Sequence, residues 1–309
     1  MRLLVVNFHY IRDVQPKGGI YPISTKNFEK QLNIISKYYK FISQTELVEY
    51  IKKDSFPKGD FCLITLDDGL KEQLKALNIL INLSIPAVFF ISTQPLIDKI
   101  AHNVHKYHYI FSKCEDDLIY EVLSNKYKIE DYNFNLDLLK EEYRYDNVQK
   151  RKIKFFINFV LNETNKKEFV KTIFKSLNTI EDEFTNELYM NINDITKLGE
   201  LDMLGTHTYS HRPLSTLSKQ DQIIEMKDSR MYLEKISSSK IRGISYPYGG
   251  PGAINIEVSN NASESEFDYG LTMIRGLNEE SNLRSPLMLR RVDTNEAPGG
   301  KLNSTDYIP

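Results

Sequence analysis

Short apolar runs alternate with amphipathic segments along the first hundred residues of the chain. Leu3–Phe8, Phe61–Leu66 and Pro86–Ser92 are almost continuously apolar, which is typical of buried strands. Thr25–Tyr38 and Thr45–Lys52 instead carry apolar residues at helical spacing, and the threonine that opens the second segment is a candidate N-cap. Strands that alternate with helices in this way predict a parallel sheet joined by crossover helices.

The same alternation returns after residue 200. Further strands are predicted over Leu201–Gly205, Ile241–Tyr246, Tyr269–Met273 and Leu287–Val292. Ser218 is a candidate N-cap for a helix over residues 219–236, and Asp221 three residues later resembles the second half of a capping box. The chain is therefore predicted to be an α/β protein.

The middle of the chain, residues 96–195, has a different pattern. It is rich in Lys, Glu, Asn and Tyr, nearly free of Gly and Pro, and helical in period. We interpret it as a helical insertion within a single domain that spans residues 1–309. His102, His105 and His108 are spaced by three, so the outer pair lie about 120° apart around a helix axis. That spacing favours a packed amphipathic helix over a second metal site.

The composition and the N-terminal sequence limit which partners and which cellular compartment are expected. The net charge is −2, whereas nucleic-acid-binding proteins usually carry a basic excess, so no nucleic acid is expected. Cys62 and Cys114 form neither a metal-type spacing nor a disulfide framework. The first residues, MRLLVVNF, lack the cleavage site of a signal peptide, and no stretch is apolar enough to be a transmembrane segment. We therefore expect a cytoplasmic protein.

Two adjacent carboxylates, Asp67 and Asp68, follow a predicted strand in the sequence TLDDG. Barrel enzymes place their chemistry at the carboxyl ends of strands. Both side chains can turn inward at such a loop, so that one ligates a metal ion. Its neighbour, held ionised by that positive charge, can then serve as a general base. The alternative is an ordinary Asp-Asp-Gly turn.

Two histidines, His207 and His211, follow another predicted strand in the sequence HTYSH. Their separation of four residues places both imidazoles on one side of a helical turn, which suits a single metal ion. The alternative is a pair of polar loop histidines. Two histidines and one carboxylate leave coordination positions open for water and substrate, which is typical of a catalytic metal site.

A third motif, SYPYGG, ends the strand predicted at Ile241–Tyr246. Proline and paired glycines after a strand build a rigid turn whose backbone N–H groups can act as oxyanion donors. A plain turn is the simpler interpretation of this motif taken by itself.

In order and spacing, TLDDG, THTYSH and SYPYG are similar to the successive motifs of the polysaccharide deacetylase family. This family is also called the NodB-homology group, or carbohydrate esterase family 4. The resemblance covers roughly residues 1–95 and 200–295 and leaves the predicted insertion outside. It implies a distorted (β/α) barrel of the NodB-homology type.

The resemblance also assigns roles to individual residues. It implies one divalent metal ion, usually zinc, bound by Asp68, His207 and His211. It implies that Asp67 is the base that activates water, and that Tyr248 contributes its backbone N–H to the oxyanion hole. The ion would lower the pKa of water and polarise the amide carbonyl.

The chain departs from the family at its C-terminal end. Family members usually carry a histidine there as general acid, but no histidine follows His211. His9 ends the first predicted strand and should face the same end of the barrel as Asp67; the alternative is a structural histidine bonded to backbone. Arg290 and Arg291 end the last predicted strand, where one of them could pair with Asp67 and lower its pKa.

These observations predict a metal-dependent hydrolase that removes an acetyl or formyl group from an amino sugar. Because no signal peptide is recognised, the expected substrate is a precursor in cell-surface glycan biosynthesis. It could be a nucleotide-linked sugar, a lipid-linked sugar or an oligosaccharide. A mature polysaccharide is one alternative. The other is an inactive barrel that binds glycan or serves as a scaffold, which the missing C-terminal histidine favours and the intact Asp-Asp and histidine motifs disfavour.

Overall fold

The computed structural model describes residues 1–16, 18, 20–142, 146–302 and 304–309. The chain divides into two compact units. The first, here called the barrel unit, comprises Met1–Val14, Pro22–Ile100 and Thr185–Pro309. The second, here called the helical unit, comprises Gln15–Tyr21 and Ala101–Phe184. The segment predicted as an insertion therefore contributes its first five residues, 96–100, and its last eleven, 185–195, to the barrel unit. A single domain over residues 1–309 stays a prediction.

The barrel unit is built on one sheet in which every pairing is parallel. Its strands are β1 (Arg2–Phe8), β2 (Lys40–Phe41), β3 (Asp60–Leu66), β4 (Ala87–Ile91), β5 (Leu204–Thr206), β6 (Gly243–Ser245), β7 (Tyr269–Leu271) and β8 (Val292–Asp293). Their order is β7-β6-β5-β4-β3-β1-β8, and β2 pairs with β3. A parallel bridge joins Leu271 to Leu289, three residues before β8, so the two ends of the sheet approach each other. The predicted α/β fold, a distorted barrel of parallel strands, is confirmed.

One face of the sheet changes from apolar to polar along its strands. Side chains alternate between faces of a strand, so Leu3, Val5 and Asn7 share a face in β1. Leu63 and Thr65 share the corresponding face of β3, where Leu63 packs with Leu3 and Val5 in one apolar cluster. Asn7 and Thr65 are fully buried near the carboxyl ends of these strands. The interior therefore becomes polar where the chemistry is expected.

Most of the barrel-unit helices cover the other face of the sheet. The barrel-unit helices are α1 (Thr25–Ile35), α2 (Gln44–Lys53), α3 (Leu74–Asn82), α4 (Gln94–Ile97), α11 (Ile192–Glu200), α12 (Lys219–Ser237), α13 (Ile256–Glu264) and α14 (Glu280–Leu283). Phe28 and Leu32 of α1, Leu77 of α3 and Met226 of α12 belong to the same buried cluster as Val6 of β1. Burying such apolar side chains, at roughly 1.5–3 kcal/mol each, is what fixes the helices on the sheet.

Several predicted boundaries were wrong in detail. Thr45 is not the N-cap of α2: Ser43 accepts a hydrogen bond from the backbone N–H of Glu46, whose carboxylate accepts from the backbone N–H of Ser43. This capping box starts the helix earlier than predicted. Ser218 is confirmed as the N-cap of α12. The strand predicted over Leu287–Val292 was wrong, because Pro286 opens a 3₁₀ turn over Pro286–Met288 and only Val292–Asp293 pairs as a strand.

The strands β5, β6 and β7 lie near their expected places but are shorter than predicted. β5 begins at Leu204 rather than Leu201, because α11 and its C-cap extend to Leu201. β6 pairs only over Gly243–Ser245 and β7 only over Tyr269–Leu271. Because β6 ends at Ser245, Tyr246, Pro247 and Tyr248 belong to the loop that carries the third motif.

The helical unit is built from helices, as its sequence predicts. They are α5 (Asn103–Lys113), α6 (Asp116–Tyr127), α7 (Leu136–Glu142), α8 (Val148–Phe155) and α9 (Glu163–Ser176), with a π-helical turn over Phe156–Val160. A further helix, α10 (Glu181–Leu188), crosses the boundary between the units. His105 of α5 is buried beside Tyr107 and Phe111, as expected for a packed amphipathic helix. Among the described residues, no helix is both long and apolar enough to cross a membrane.

Candidate active site

The three motifs meet at the carboxyl ends of β3, β5 and β6. Asp67 and Asp68 directly follow β3, His207 directly follows β5, and Tyr248 lies three residues beyond β6. Because all the strands are parallel, these loops emerge at the same end of the barrel unit. Asp67, Asp68 and His207 are nearly inaccessible to solvent, whereas Tyr248 is 54% exposed. The buried groups therefore have an exposed aromatic ring at their edge.

Asp68, His207 and His211 form a compact set of donor atoms. Oδ1 of Asp68 lies 3.5 Å from Nε2 of His207 and 3.4 Å from Nε2 of His211. Of the described residues, only these three form a group of histidine, cysteine or carboxylate donors able to surround one ion, with all donor atoms within 4.8 Å of one another. Two donors that bind one zinc ion at about 2.0–2.2 Å in a tetrahedral arrangement lie roughly 3.3 Å apart. The residues therefore fit a divalent metal ion.

The backbone leaves β3 in a conformation that separates the two carboxylates. Asp68 has a φ of 82°, in the left-handed region where Asp is tolerated better than most residues. Gly69 follows with a φ of 68°, and a Cβ at this position would lie 2.9 Å from the side chain of Ile91. A non-glycine residue would be disfavoured at position 69 by both its φ and this contact. The turn directs Asp68 towards the histidines.

A hydrogen bond fixes the orientation of His207. Its Nδ1 lies 2.7 Å from the carbonyl oxygen of Ser245, so Nδ1 carries the proton and Nε2 is left as a lone-pair donor facing Asp68. Burial lowers the pKa of His207 to about 4, and the nearby carboxylates of Asp67 and Asp68 only partly oppose this shift. The ring is therefore neutral at pH 7, which is the form that binds a metal ion.

The loop between the two histidines is held by a buried carboxylate from α12. Thr208 and His211 have φ values of 63° and 57°, which are unfavourable for non-glycine residues. Glu225 accepts hydrogen bonds from the backbone N–H groups of Tyr209 at 3.0 Å and Ser210 at 2.8 Å, and from the Ser210 hydroxyl. This carboxylate therefore stabilises a strained loop that ends in His211.

Asp67 lies in a different set of contacts. Nη1 of Arg291 lies 2.9 Å from Oδ1 and 2.8 Å from Oδ2 of Asp67, and Oδ2 also accepts from Asn7 at 3.1 Å and from the Ser245 hydroxyl at 3.0 Å. Arg291 is fully buried, and it also donates to the carbonyl of Thr272 and to Ser245. Burial has the largest single effect and raises the pKa of Asp67, but the charges of Arg291, His207 and His9 together outweigh it, and the pKa is lowered overall.

His9 lies where the sequence predicts, directly after β1. Its side chain is partly buried, and its charge lowers the pKa of Asp67 in addition to the larger effects of Arg291 and His207. Its backbone carbonyl accepts a hydrogen bond from Gln73, which also donates to the carbonyl of Asp67. Gln73 therefore ties the loop after β1 to the loop after β3.

Tyr248 and Arg290 are the remaining predicted residues. The Tyr248 ring contacts the His211 ring edge-to-face, with centroids 5.1 Å apart, and the Tyr248 backbone has a φ of 62°. Arg290 is exposed and lies over Gly276, whose Cβ would be 3.1 Å from the Arg290 side chain. Of the two arginines, it is therefore Arg291 and not Arg290 that pairs with Asp67.

Sequence reasoning missed three polar residues that support the site. Asn7 and Ser245 hydrogen bond to Asp67, and Glu225 holds the histidine loop. Asn7 could have been identified from the sequence. It is an amide inside the apolar run LLVVNF, and a buried amide needs hydrogen-bond partners. Glu225 could not have been identified in this way, because a glutamate on an amphipathic helix usually faces solvent.

Comparison with known proteins gives one match in sequence and several in structure. The family model described as polysaccharide deacetylase matches residues 145–270, a range that includes the second and third motifs. No curated protein matches the chain.

Solved structures match over nearly the whole chain. The Streptococcus pyogenes deacetylase PplD, solved in complex with acetate, aligns with a TM-score of 0.61 at 17% identity and covers 98% of both chains. IcaB from Ammonifex degensii aligns with a TM-score of 0.59 at 14% identity, covering 98% of this chain and 95% of its own. The BpsB deacetylase domain from Bordetella bronchiseptica aligns with a TM-score of 0.55 at 14% identity, covering 94% and 95%. At these identities the alignments establish the shared fold. The resemblance to the polysaccharide deacetylase family that the three motifs predicted is therefore confirmed, by the family model over residues 145–270 and by the fold over nearly the whole chain.

Proposed function

We propose that this protein is a metal-dependent hydrolase that removes an N-acyl group, acetyl or formyl, from an amino sugar. The observation that carries the proposal is the arrangement at the strand ends. The possible ligand atoms of Asp68, His207 and His211 lie within 4.8 Å of one another, and the neighbouring carboxylate of Asp67 is paired with a buried arginine. A glycan deacetylase role is also supported by the matching family model.

Asp68, His207 and His211 would hold the ion, for which zinc is the proposed identity because a mixed imidazole and carboxylate set suits it. When bound, the ion would polarise the acyl carbonyl and lower the pKa of an attacking water. The protein prepares this site by burying the ligands and by fixing the tautomer of His207 through the Ser245 carbonyl.

Asp67 is proposed as the general base. Because Arg291 lowers its pKa, Asp67 is ionised near neutral pH and can accept a proton from the attacking water. Asn7 and Ser245 hold Oδ2 from two directions, which fixes the plane of the carboxylate. The carboxylate is therefore positioned before substrate arrives, which reduces the reorganisation needed during the reaction.

The departing amine needs a proton, since an amide nitrogen leaves poorly as an anion. His9 is proposed as its donor, because it follows β1 at the same end of the barrel unit and lies within electrostatic range of Asp67. Tyr248 is proposed to stabilise the oxyanion through its backbone N–H, beside the ring of His211.

We further propose that the substrate is a precursor in cell-surface glycan biosynthesis and that the protein works in the cytoplasm. Both cysteines, Cys62 and Cys114, are free and buried, which is compatible with a reducing compartment. A nucleotide-linked sugar, a lipid-linked sugar and an oligosaccharide are the substrate forms to be compared.

The test is amine release from a substrate panel. Zinc-loaded protein is incubated with N-acetylated and N-formylated amino sugars in monosaccharide, nucleotide-linked and oligosaccharide form, and free amine and free acid are measured. We expect equal amounts of amine and acetate or formate from at least one member. A protein that binds its metal but releases no amine from any of them would instead be a glycan-binding protein or scaffold.

A further inference from the structure

Gln73 is a fully buried residue of the barrel unit that has no part in the reaction proposed above. It ends a 3₁₀ turn over Lys71–Gln73, shortly after the first motif. Its side-chain Nε2 donates to the carbonyl of His9 at 2.9 Å and to the carbonyl of Asp67 at 2.6 Å. One nitrogen atom therefore joins the backbone of the proposed proton donor to the backbone of the proposed base.

These two contacts require an amide in one orientation. Both partners are carbonyl oxygens, which only accept hydrogen bonds, so the NH₂ end of the side chain must face them. An amide nitrogen carries two hydrogens, and the two carbonyls use both of them. An ionised carboxylate in the same place could donate to neither carbonyl. An apolar side chain of similar length would leave both carbonyls without this partner.

The pairing of the two strands ends just before these contacts. Phe8 and Leu66 are the last registered pair of β1 and β3, and the N–H of Asp67 donates to the carbonyl of Phe8 at 3.0 Å. Beyond this bond the chains enter separate loops. Gln73 continues the connection with a side-chain bond in place of a backbone bond. The fixed spacing of the strands therefore extends as far as His9.

The two residues that Gln73 joins differ in how they are held. The carboxylate of Asp67 pairs with Arg291 and accepts two further hydrogen bonds from side chains. His9 lies in a loop, and Gln73 holds it through its carbonyl. A displacement of the Asp67 backbone is therefore opposed by the contacts of its side chain, whereas a displacement of the His9 backbone moves the imidazole with it. Loss of the Gln73 amide should act mainly through His9.

Gln44 offers a comparison at the amino end of the neighbouring strand β5. It is also buried, and its Nε2 also donates to two backbone carbonyls, those of Asp202 at 2.8 Å and Leu204 at 3.3 Å. Its Oε1 accepts from the hydroxyl of Tyr269 at 3.0 Å, so both ends of this amide are bonded. The Oε1 of Gln73 is buried and has no hydrogen-bond partner within the described part of the chain. A buried polar atom without a partner costs stability, so Gln73 contributes less to folding than Gln44.

We propose that Gln73 is a positioning residue that sets the separation between the proton donor and the proton acceptor of the reaction. The proposal rests on the proposed function and deepens it. Gln73 acts through the backbone of His9 and Asp67 and not by touching the substrate. A displacement of about 1 Å at a reacting group can lower a rate by about 10²-fold, so one amide that fixes this separation can have a large effect on turnover.

The test compares Gln73→Met with Gln44→Met in the full-length, zinc-loaded protein, each made in the wild type and in His9→Ala. Methionine is similar to glutamine in length but donates no hydrogen bond. Gln73→Asn, which keeps the amide on a shorter side chain, is the second variant if Gln73→Met does not fold. Turnover is measured with the β-1,4-linked tetrasaccharide of N-acetylglucosamine. Amide hydrogen exchange over residues 7–12 and 64–70 is measured without substrate.

We expect Gln73→Met to lower kcat about tenfold to hundredfold while KM stays within about twofold of the wild-type value. In His9→Ala the same change should cost at most about twofold, because the group that it displaces is gone. Hydrogen exchange over residues 7–12 should become about tenfold faster, as for the loss of one hydrogen bond. Gln73→Asn should show the same effects at smaller size.

Gln44→Met should lower the midpoint of thermal unfolding at least as much as Gln73→Met, yet leave kcat and the exchange over residues 7–12 near the wild-type values. Wild-type kcat in Gln73→Met, or an equal fold loss in the wild type and in His9→Ala, would overturn the positioning role. Unchanged exchange over residues 7–12 would overturn it as well. If the wild type does not turn over the tetrasaccharide, faster exchange in Gln73→Met would still support the positioning role, while the missing turnover would count against the proposed hydrolase.

Discussion

Asp67 and Asp68 are neighbours in the sequence and are both buried, yet their carboxylates lie in opposite surroundings. Asp68 faces the imidazoles of His207 and His211, and the donor atoms of the three residues are close enough to surround one cation. Asp67 faces the guanidinium of Arg291, which already supplies a positive charge. Two identical side chains can therefore take different roles, ligand and base, because their neighbours differ. Each prediction below changes one side of this comparison.

Removing Asp68, the proposed metal ligand, should have the largest effect. Asp68→Ala leaves two imidazoles without their carboxylate, so we expect loss of stoichiometric metal and of turnover. The loss of metal affinity should exceed the roughly 10–100-fold cost of removing a residue that only orients a ligand. Metal content after dialysis measures it, and Asp228→Ala, an exposed aspartate of α12, is the control. Full metal occupancy in Asp68→Ala would mean that the ion is held elsewhere.

Replacing Asp67, the proposed base, should impair the reaction without impairing metal binding. Asp67→Asn keeps an oxygen that can accept from Asn7 and Ser245 but removes the proton acceptor, so turnover should fall by roughly 10²–10⁴-fold. Metal content should stay near that of the wild type. Thermal stability should fall, because Arg291 is fully buried and loses its charged partner. If Asp67→Asn and Asp68→Asn lose metal equally, the division of roles is wrong.

His9 tests whether a third group is needed to complete the reaction. His9→Ala should keep the fold and the metal and lower the rate by roughly 10²-fold, the usual contribution of a positioned acid. The loss should shrink for substrates with better leaving amines, because these need less protonation. Circular dichroism and metal analysis check the fold and the site separately. Near-full activity in His9→Ala would show that the proton reaches the amine by another route.

Glu225 supports the loop that ends in His211, one of the proposed metal ligands. In Glu225→Gln the amide oxygen can still accept from the backbone N–H groups of Tyr209 and Ser210, but these hydrogen bonds lose the negative charge that strengthens them, so the loop is held more weakly. Metal affinity should fall about 10–100-fold. Glu234→Gln on the same helix is the control, since Glu234 also accepts from a backbone N–H, that of Ile241. Equal metal affinity in both variants would show that the loop holds its shape without Glu225.

The sequence predicted what depends on local pattern and on motif order. The long strands β1, β3 and β4 and the N-cap Ser218 follow from apolar runs and capping chemistry within a few residues. Asp68, His207 and His211 could be grouped because each follows a strand of a parallel sheet, and parallel strands end at one edge.

Contacts that only the closed sheet creates were predicted in part. The sequence placed one arginine of the pair Arg290 and Arg291 beside Asp67, but it did not decide that Arg291 makes this contact across 224 residues, and it did not predict the contact of Ser245 across 178. The short strand β8 escaped prediction as well, because two paired residues leave no periodicity to detect. Spacing limits which residues can meet, but the register of the strands decides which ones do.

Arg291 offers the most selective test of the difference between Asp67 and Asp68. Its replacement should change the pH dependence of the reaction more than the maximal rate. A base works only when deprotonated, so the rate falls as the pH drops through the pKa of Asp67. In Arg291→Met burial, the largest effect, still raises this pKa, while the strongest of the charges that lower it is gone. The acid limb of kcat/KM should therefore move to higher pH by about one to three units. Arg290→Met, at the exposed neighbour, should leave the limb in place.

The pH dependence of folding stability should also differ between the wild type and Arg291→Met. In the wild type the folded-state pKa of Asp67 is below its unfolded value of about 3.9, so its stabilising contribution is present above that value. The contribution is lost as the pH falls through the folded-state pKa. In Arg291→Met the folded-state pKa would lie above the unfolded one, so the variant should instead lose stability as the pH rises through it. Denaturant midpoints from pH 3 to pH 8 compare the two proteins. Parallel curves would mean that the charge of Arg291 does not control the ionisation of Asp67.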